Sequence, residues 1–216
     1  MSRGKFITLE GIEGAGKSTV AALVLRWLEQ RSIPARATRE PGGTPLAERV
    51  RAVVLERGTE TVSPVTETLL MFAARALHVA NVIQPALDRG EWVVCDRFSD
   101  ATRAYQGSGR GVDTGLIETL AAAVHGNLNP DCTLLLDLPV AVGLARARQR
   151  SGTHADRFES ETGAFFEQVR QGYLTLARAE PGRFRVIDAA QPLATVEQAV
   201  SSALEALRGS GAGARP

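Results

Sequence analysis

Residues Gly11-Ile12-Glu13-Gly14-Ala15-Gly16-Lys17-Ser18 form a Gly-x-x-x-x-Gly-Lys-Ser string, with Thr19 next in line. The string directly follows the apolar run Phe6 to Leu9 and opens an amphipathic stretch, Lys17 to Gln30. A strand, a glycine-rich turn and a helix in that order make a phosphate cradle. Backbone N–H groups curl around phosphate oxygens, and the helix points its positive end at them. Lys17 then reaches the β and γ phosphates of a nucleoside triphosphate, and Ser18 offers its hydroxyl to Mg²⁺. Gly11 to Thr19 is therefore the candidate ATP site, but it says nothing about what receives the phosphoryl group.

The rest of the chain has to supply a frame for that loop. Runs rich in Val, Ile, Leu and Phe at Phe6 to Leu9, Ala35 to Thr38, Trp92 to Cys95, Cys132 to Leu136 and Phe184 to Ile187 read as five short buried strands. Between them lie helical patterns at Lys17 to Gln30, Pro45 to Arg57, Pro64 to Asp88, Thr114 to His125, Val140 to Arg150, Ala164 to Ala179 and Leu193 to Leu207. Alternating strand and helix predict an α/β fold in which a parallel sheet is flanked by helices on both faces. Ser63 before Pro64 marks a helix start, Gly58 and Gly90 mark helix ends, and Pro85 predicts a kink. No internal repeat or linker divides the 216 residues, so 1–207 reads as one domain. Arg148 to Glu159 is polar and reads as a mobile surface loop, and 208–216, with its Gly, Ser and Ala, as a flexible tail.

Charge narrows the function. Lys and Arg number 25 against 24 Asp and Glu, a net charge of +1, so nothing broad attracts nucleic acid polymers and phosphate chemistry must be local. No run approaches the roughly 18 apolar residues of a membrane span, and no secretory signal precedes Phe6; the expectation is a cytoplasmic protein with no membrane partner. Cys95 and Cys132 sit in apolar runs and read as small core residues. A guanine-nucleotide switch would carry Asp-x-x-Gly and Asn-Lys-x-Asp strings, and the chain has neither. The third strand instead runs into Asp96-Arg97, a carboxylate suited to a Mg²⁺-bound water beside a guanidinium suited to phosphate. A kinase for some other nucleotide or metabolite, and a slow nucleotide-dependent switch with a protein partner, remain open on these residues.

Four further strings sharpen the picture: Thr38-Arg39-Glu40-Pro41-Gly42-Gly43-Thr44, Met71-Phe72-Ala73-Ala74-Arg75, Asp96-Arg97-Phe98 continuing to Ala104-Tyr105-Gln106-Gly107, and Asp156-Arg157-Phe158-Glu159. With the phosphate loop, they make the chain resemble the thymidylate kinases of the bacterial type from Phe6 to about Leu207. That resemblance implies a P-loop kinase fold with a short lid at about 148–159, a homodimer, and direct in-line transfer from ATP with Mg²⁺ onto dTMP, giving dTDP for dTTP synthesis. It also implies a set of residue roles. Glu13 faces the acceptor's sugar and phosphate, and Arg39 and Arg97 hold the acceptor phosphate. Arg75 donates to the base, with Phe72 or Met71 covering it. Tyr105 packs where a 2′-hydroxyl would stand, while Thr102 and Gln106 give polar contacts to thymine. Ser18 and Asp96 serve the metal. Lys17, Arg97 and the lid arginines Arg148, Arg150 and Arg157 act in catalysis, with Asp156 orienting one of the latter. From glycine content alone, Gln106 to Gly111 reads as a flexible loop.

Overall fold

A computed structural model of the chain describes residues 3–56, 60–151, 157, 158 and 161–209. Strands β1 (Phe6–Glu10), β2 (Ala35–Arg39), β3 (Trp92–Asp96), β4 (Cys132–Asp137) and β5 (Phe184–Asp188) form one sheet in the order β2-β3-β1-β4-β5. Every pairing is parallel. Helices α1 (Lys17–Glu29), α2 (Pro45–Leu55), α3 (Pro64–His78), α4 (Gln84–Asp88), α5 (Ser99–Thr102), α6 (Thr114–His125), α7 (Val140–Ser151), α8 (Gly163–Ala179) and α9 (Leu193–Gly209) flank it. The crossovers from β1 and β3 leave towards opposite edges, so the ends of β1, β2 and β3 converge on one crevice.

The strands end within one residue of the expected boundaries, but they are not equally buried. β1 and β4 are covered on both faces, whereas the edge strand β2 is largely exposed and β5 partly so. This corrects the reading of five buried strands; Ala35-Arg36-Ala37-Thr38-Arg39 is short and polar enough for an edge. Ser63 accepts from the Thr66 amide at the start of α3, and Gly90 has φ +80° just beyond α4, as expected. Arg148 to Ser151, expected to open a loop, are instead the last residues of α7. Gly58, Asp156, Glu159 and the tail from 210 lie outside the described residues.

Pro85 acts on the turn before it. Helix α3 gives way to a π-helical segment, Val79–Ile83, and then to α4. Proline cannot donate to the Asn81 carbonyl and crowds it, which loosens the ladder at that turn. By length and mean hydropathy of 1.2, Pro64–Asp88 could cross a membrane, contrary to the expectation that no stretch would. Here it is a core element, carrying the buried polar side chains of Glu67, Arg75 and His78.

The largest departure lies at 99–109. Instead of a glycine-loosened loop, α5 continues into a π-helical segment, Arg103–Gly109, that packs along α8. The glycines serve proximity here. A Cβ on Gly172 would lie 2.4 Å from Ser108 Oγ, and one on Gly109 would lie 2.6 Å from the Phe165 ring. Glycine content cannot separate flexibility from close approach, which is why the composition misleads.

Polar groups tie the core together. Asp100, 1 % exposed, takes a fork from Arg183 at 2.6 and 2.9 Å, and Thr8 meets Thr133 at 2.9 Å between β1 and β4. Glu10 closes β1 with no solvent exposure, accepting from the Phe98 amide at 2.8 Å and the Tyr173 hydroxyl at 2.7 Å. Burial, together with the Asp100 charge, pushes its carboxyl from 4.5 up to about 8, against the pull of Arg97 and those two donors.

Two measurements follow from this packing. Gly172→Ala should lower stability by ~1–2 kcal/mol in urea unfolding, overpacking outweighing the gain in helix propensity. Gly182→Ala, whose Cβ would meet nothing within 4 Å, should stay within about 0.5 kcal/mol of the parent. For Glu10 the folded state binds the extra proton, so its contribution is complete below pH 4.5 and is lost as pH rises through about 8. Urea midpoints at pH 5 and pH 8 should therefore fall more for the parent than for Glu10→Gln.

Candidate functional site

The crevice at the strand ends is a cavity of about 440 Å³, lined at one end by the loop from Glu13 to Thr19 and at the other by Met71, Arg75, Thr102 and Gln106. Arg39, Asp96, Arg97 and Tyr105 line the space between. Its size suits a small-molecule ligand.

The loop is shaped by close backbone approach. Gly11 at φ +139° and Gly14 at φ +71° leave no room for a side chain: a Cβ would fall 2.5 Å from the Leu136 carbonyl oxygen and 2.0 Å from that of Gly143, respectively. Lys17 opens α1 and folds back, donating from Nζ to Gly11 O at 3.1 Å and Ile12 O at 3.0 Å. Burial, then the charge of Arg97, holds its ammonium below the usual lysine value. Ser18 and Thr19 are exposed on the cavity wall, and Asp96 ends β3 beside them.

Arg97 follows β3 with φ +72°, a left-handed conformation uncommon for any residue but glycine. Its Nη2 donates to Glu13 Oε1 at 2.7 Å and to the Tyr105 hydroxyl at 3.0 Å, and its Nη1 donates to Gly11 O at 3.1 Å and the Tyr173 hydroxyl at 3.2 Å. The guanidinium stands 4.7 Å above the Tyr105 ring, and Tyr105 in turn donates to Glu13 at 3.2 Å. Arg39, at the end of β2, is more exposed and donates to Glu48 Oε2 at 2.9 Å. Glu48 also accepts from the Gly43 amide, the first cause holding its carboxyl below the usual range.

Arg75 is 3 % exposed, yet it reaches the cavity wall. Nε donates to Glu40 at 2.7 Å, while Nη2 donates to Phe98 O at 3.2 Å and Thr102 Oγ1 at 3.0 Å. Nη1, although buried, has no hydrogen-bond partner among the described residues. Such an orphaned charged donor is costly unless a ligand acceptor meets it. Glu40 also meets His78 Nδ1 at 3.0 Å, and His78 Nε2 meets Thr38 at 2.6 Å, so a chain of buried polar contacts backs the arginine.

The sequence-predicted residues separate at this point. Gly11 and Ile12 support the loop from below, and Glu13, Gly14, Ala15, Gly16, Lys17, Ser18, Thr19, Arg39, Arg75, Asp96, Arg97, Thr102, Tyr105 and Gln106 reach the cavity wall. Phe72 does not. It is 2 % exposed in a cluster with Val112, Ile117 and Ala121, its ring 4.7 Å behind the Arg75 guanidinium, while Met71 lines the cavity. On α3 the spacing of three brings Phe72 against the arginine's guanidinium rather than over the cavity. Arg148 is exposed on α7 and does not line the cavity; the side chain of Arg150 lies outside the described residues. Arg157 donates to Val54 O at 3.0 Å and pairs with the buried Glu67, which also accepts from Gln106 at 2.7 Å. Glu10, Glu40, Glu67, Arg51 and Tyr173 were missed. Glu10, a lone acid closing an apolar strand, was the one visible signal among them; the others take their place only through contacts distant in sequence.

Comparison with known proteins gives the same family along the whole frame. The thymidylate kinase family model matches residues 9–200. The chain is 56% identical over 207 residues to a thymidylate kinase from Methylococcus capsulatus, covering 96% of this chain and 98% of that one. It is 57% identical over 204 residues to one from Pseudomonas fluorescens, covering 94% and 96%. A crystal structure of thymidylate kinase from Ehrlichia chaffeensis superposes with a TM-score of 0.74 at 32% identity, covering 94% of this chain and 99% of that one. Phosphate loop, parallel sheet, paired strand-end arginines and near full-length matches agree, and the chain belongs to the thymidylate kinase family.

Proposed function

We propose that the protein transfers the γ-phosphoryl group of ATP directly to the phosphate of dTMP. The observation that carries this is the single cavity reaching from the phosphate loop to Arg75, whose buried Nη1 has no hydrogen-bond partner among the described residues. A donor triphosphate at one end and a base carbonyl at the other place the acceptor phosphate between them, beside Arg97 and Arg39. Loop amides from Glu13 to Thr19 and Lys17 hold the triphosphate; Arg97 and Arg39 clamp the dianionic acceptor and offset its charge. Arg75 donates to a thymine carbonyl, Met71 covers the ring, and Thr102 and Gln106 border it. Tyr105 fills the space against the sugar. Transfer needs no enzyme nucleophile, since alignment and charge neutralisation account for most catalysis of this kind. Arg148, Arg150 and Arg157 are the arginines proposed to approach the transferring group, Arg157 by exchanging Glu67 for phosphate.

Among the described residues no cluster of three or more acidic, histidine or cysteine side chains could cage a metal. Mg²⁺ fits all the same, because it prefers oxygen, keeps several waters and shares its shell with nucleotide phosphates. The Ser18 hydroxyl and the Asp96 carboxylate, both on the cavity wall, are the residues that would hold it. Bound there it would neutralise charge on the phosphates.

We also place the protein in the cytoplasm as a homodimer built on one domain. Support for the dimer comes from Leu46, Val53, Val65 and Leu69, apolar side chains about half exposed on neighbouring helices α2 and α3.

ADP formation with ATP and Mg²⁺ should be fast with dTMP and slow with the other common nucleoside monophosphates or with no acceptor. Equal rates across acceptors would overturn the assignment. Arg75→Lys should raise the KM for dTMP on the order of tenfold or more while leaving that for ATP in place, because the fork cannot be rebuilt by an ammonium.

A further inference from the structure

Arg97 sits where few residues sit willingly. Its backbone lies at φ +72°, and its side chain must aim a fork at one point of the cavity. Non-glycine residues persist in that region only where surrounding contacts over-determine them. One group supplies contacts to both parts. Glu10, without solvent exposure at the end of β1, accepts the Phe98 amide on Oε1 at 2.8 Å, fixing the peptide just after Arg97. Its other oxygen accepts the Tyr173 hydroxyl at 2.7 Å, and that hydroxyl accepts Nη1 of Arg97 at 3.2 Å. Tyr173 is 1 % exposed on α8, edge-on to Tyr105 with ring centroids 6.3 Å apart, so its hydroxyl has little freedom to move.

We propose that Glu10 and Tyr173 are positioning residues for the acceptor phosphate, one oxygen of the Glu10 carboxyl holding the backbone beside Arg97 and the other holding its guanidinium through the Tyr173 hydroxyl. Neither touches the cavity wall, and each acts only through Arg97. The remaining partners of that guanidinium have different duties: Glu13 and Tyr105 line the cavity and stand beside the ligand, and Gly11 belongs to the loop. Without the Tyr173 hydroxyl the fork keeps its charge and its bond to Glu13, but Nη1 is left with the Gly11 carbonyl alone and is less tightly fixed. Binding of a phosphate between Arg97 and Arg39 then weakens, whereas a ligand without phosphate does not sense the change. The proposal rests on the reading of Arg97 as an acceptor-phosphate clamp.

Calorimetric titration of dTMP and of thymidine separates the possibilities. Tyr173→Phe removes only the hydroxyl and keeps the ring in its packing. It should weaken dTMP on the order of tenfold, the scale of a hydrogen bond to a charged group, leave thymidine unchanged, and raise the KM for dTMP but not for ATP. Glu10→Ala, which removes the acceptor for the Phe98 amide and the partner of the Tyr173 hydroxyl together, should act in the same direction. In an Arg97→Lys background, Tyr173→Phe should add little. Unchanged dTMP binding in Tyr173→Phe, or equal weakening of dTMP and thymidine, overturns the proposal while leaving the clamp intact. An Arg97→Lys protein that still prefers dTMP over thymidine as strongly as the parent overturns the clamp, and the proposal with it.

Discussion

The carbonyl oxygen of Gly11 accepts from Lys17 and from Arg97, each at 3.1 Å. That shared acceptor joins the two halves of the site, since one cation belongs to the loop after β1 and the other to the end of β3. It requires β3 to lie directly beside β1, which the order β2-β3-β1-β4-β5 provides. It also requires Gly11 to turn its carbonyl into the crevice at φ +139°, with the Leu136 carbonyl too close for any Cβ. Sheet order, loop conformation and the alignment of donor with acceptor are thus linked through one oxygen atom.

Around that point the molecule repeats a device: an acid at or below the cavity wall aims an arginine. Glu13 holds Arg97, Glu40 holds Arg75 and Glu67 holds Arg157. Burying such pairs costs much of their mutual attraction in desolvation, so they add less to stability than their short distances suggest. Their value lies in orientation. An arginine whose Nε and one Nη are spoken for can present only its remaining donor, which is how Arg75 comes to offer Nη1 alone.

The parts of the site legible in the sequence were the ones encoded locally. Gly11 to Ser18 carries its geometry in its own glycines and in the strand and helix on either side. The family resemblance placed Arg39, Arg97 and Tyr105 on the cavity, and strand-helix alternation foretold the parallel sheet. What stayed hidden depends on pairs far apart along the chain: Tyr173 to Glu10 spans 163 residues, Arg157 to Glu67 spans 90, and Gln106 to Glu67 spans 39. No pattern within a helix announces such partners. The choice between Phe72 and Met71 stayed open because helical spacing tells which face a ring shares with Arg75, not whether that face looks outward or into the core. The glycines at 107 and 109 were misread because the Phe165 ring that explains Gly109 lies on α8.

Direct transfer within one cavity is the central claim, and the stereochemical course at phosphorus tests it most directly. An ATP analogue whose γ-phosphoryl group is made chiral by isotopic and sulfur labelling would be turned over with dTMP and the product's configuration read. A single in-line displacement between aligned oxygens predicts inversion. Retention would mean that a side chain carried the phosphoryl group between two displacements, and would contradict an account in which Lys17, Arg39 and Arg97 only align and neutralise.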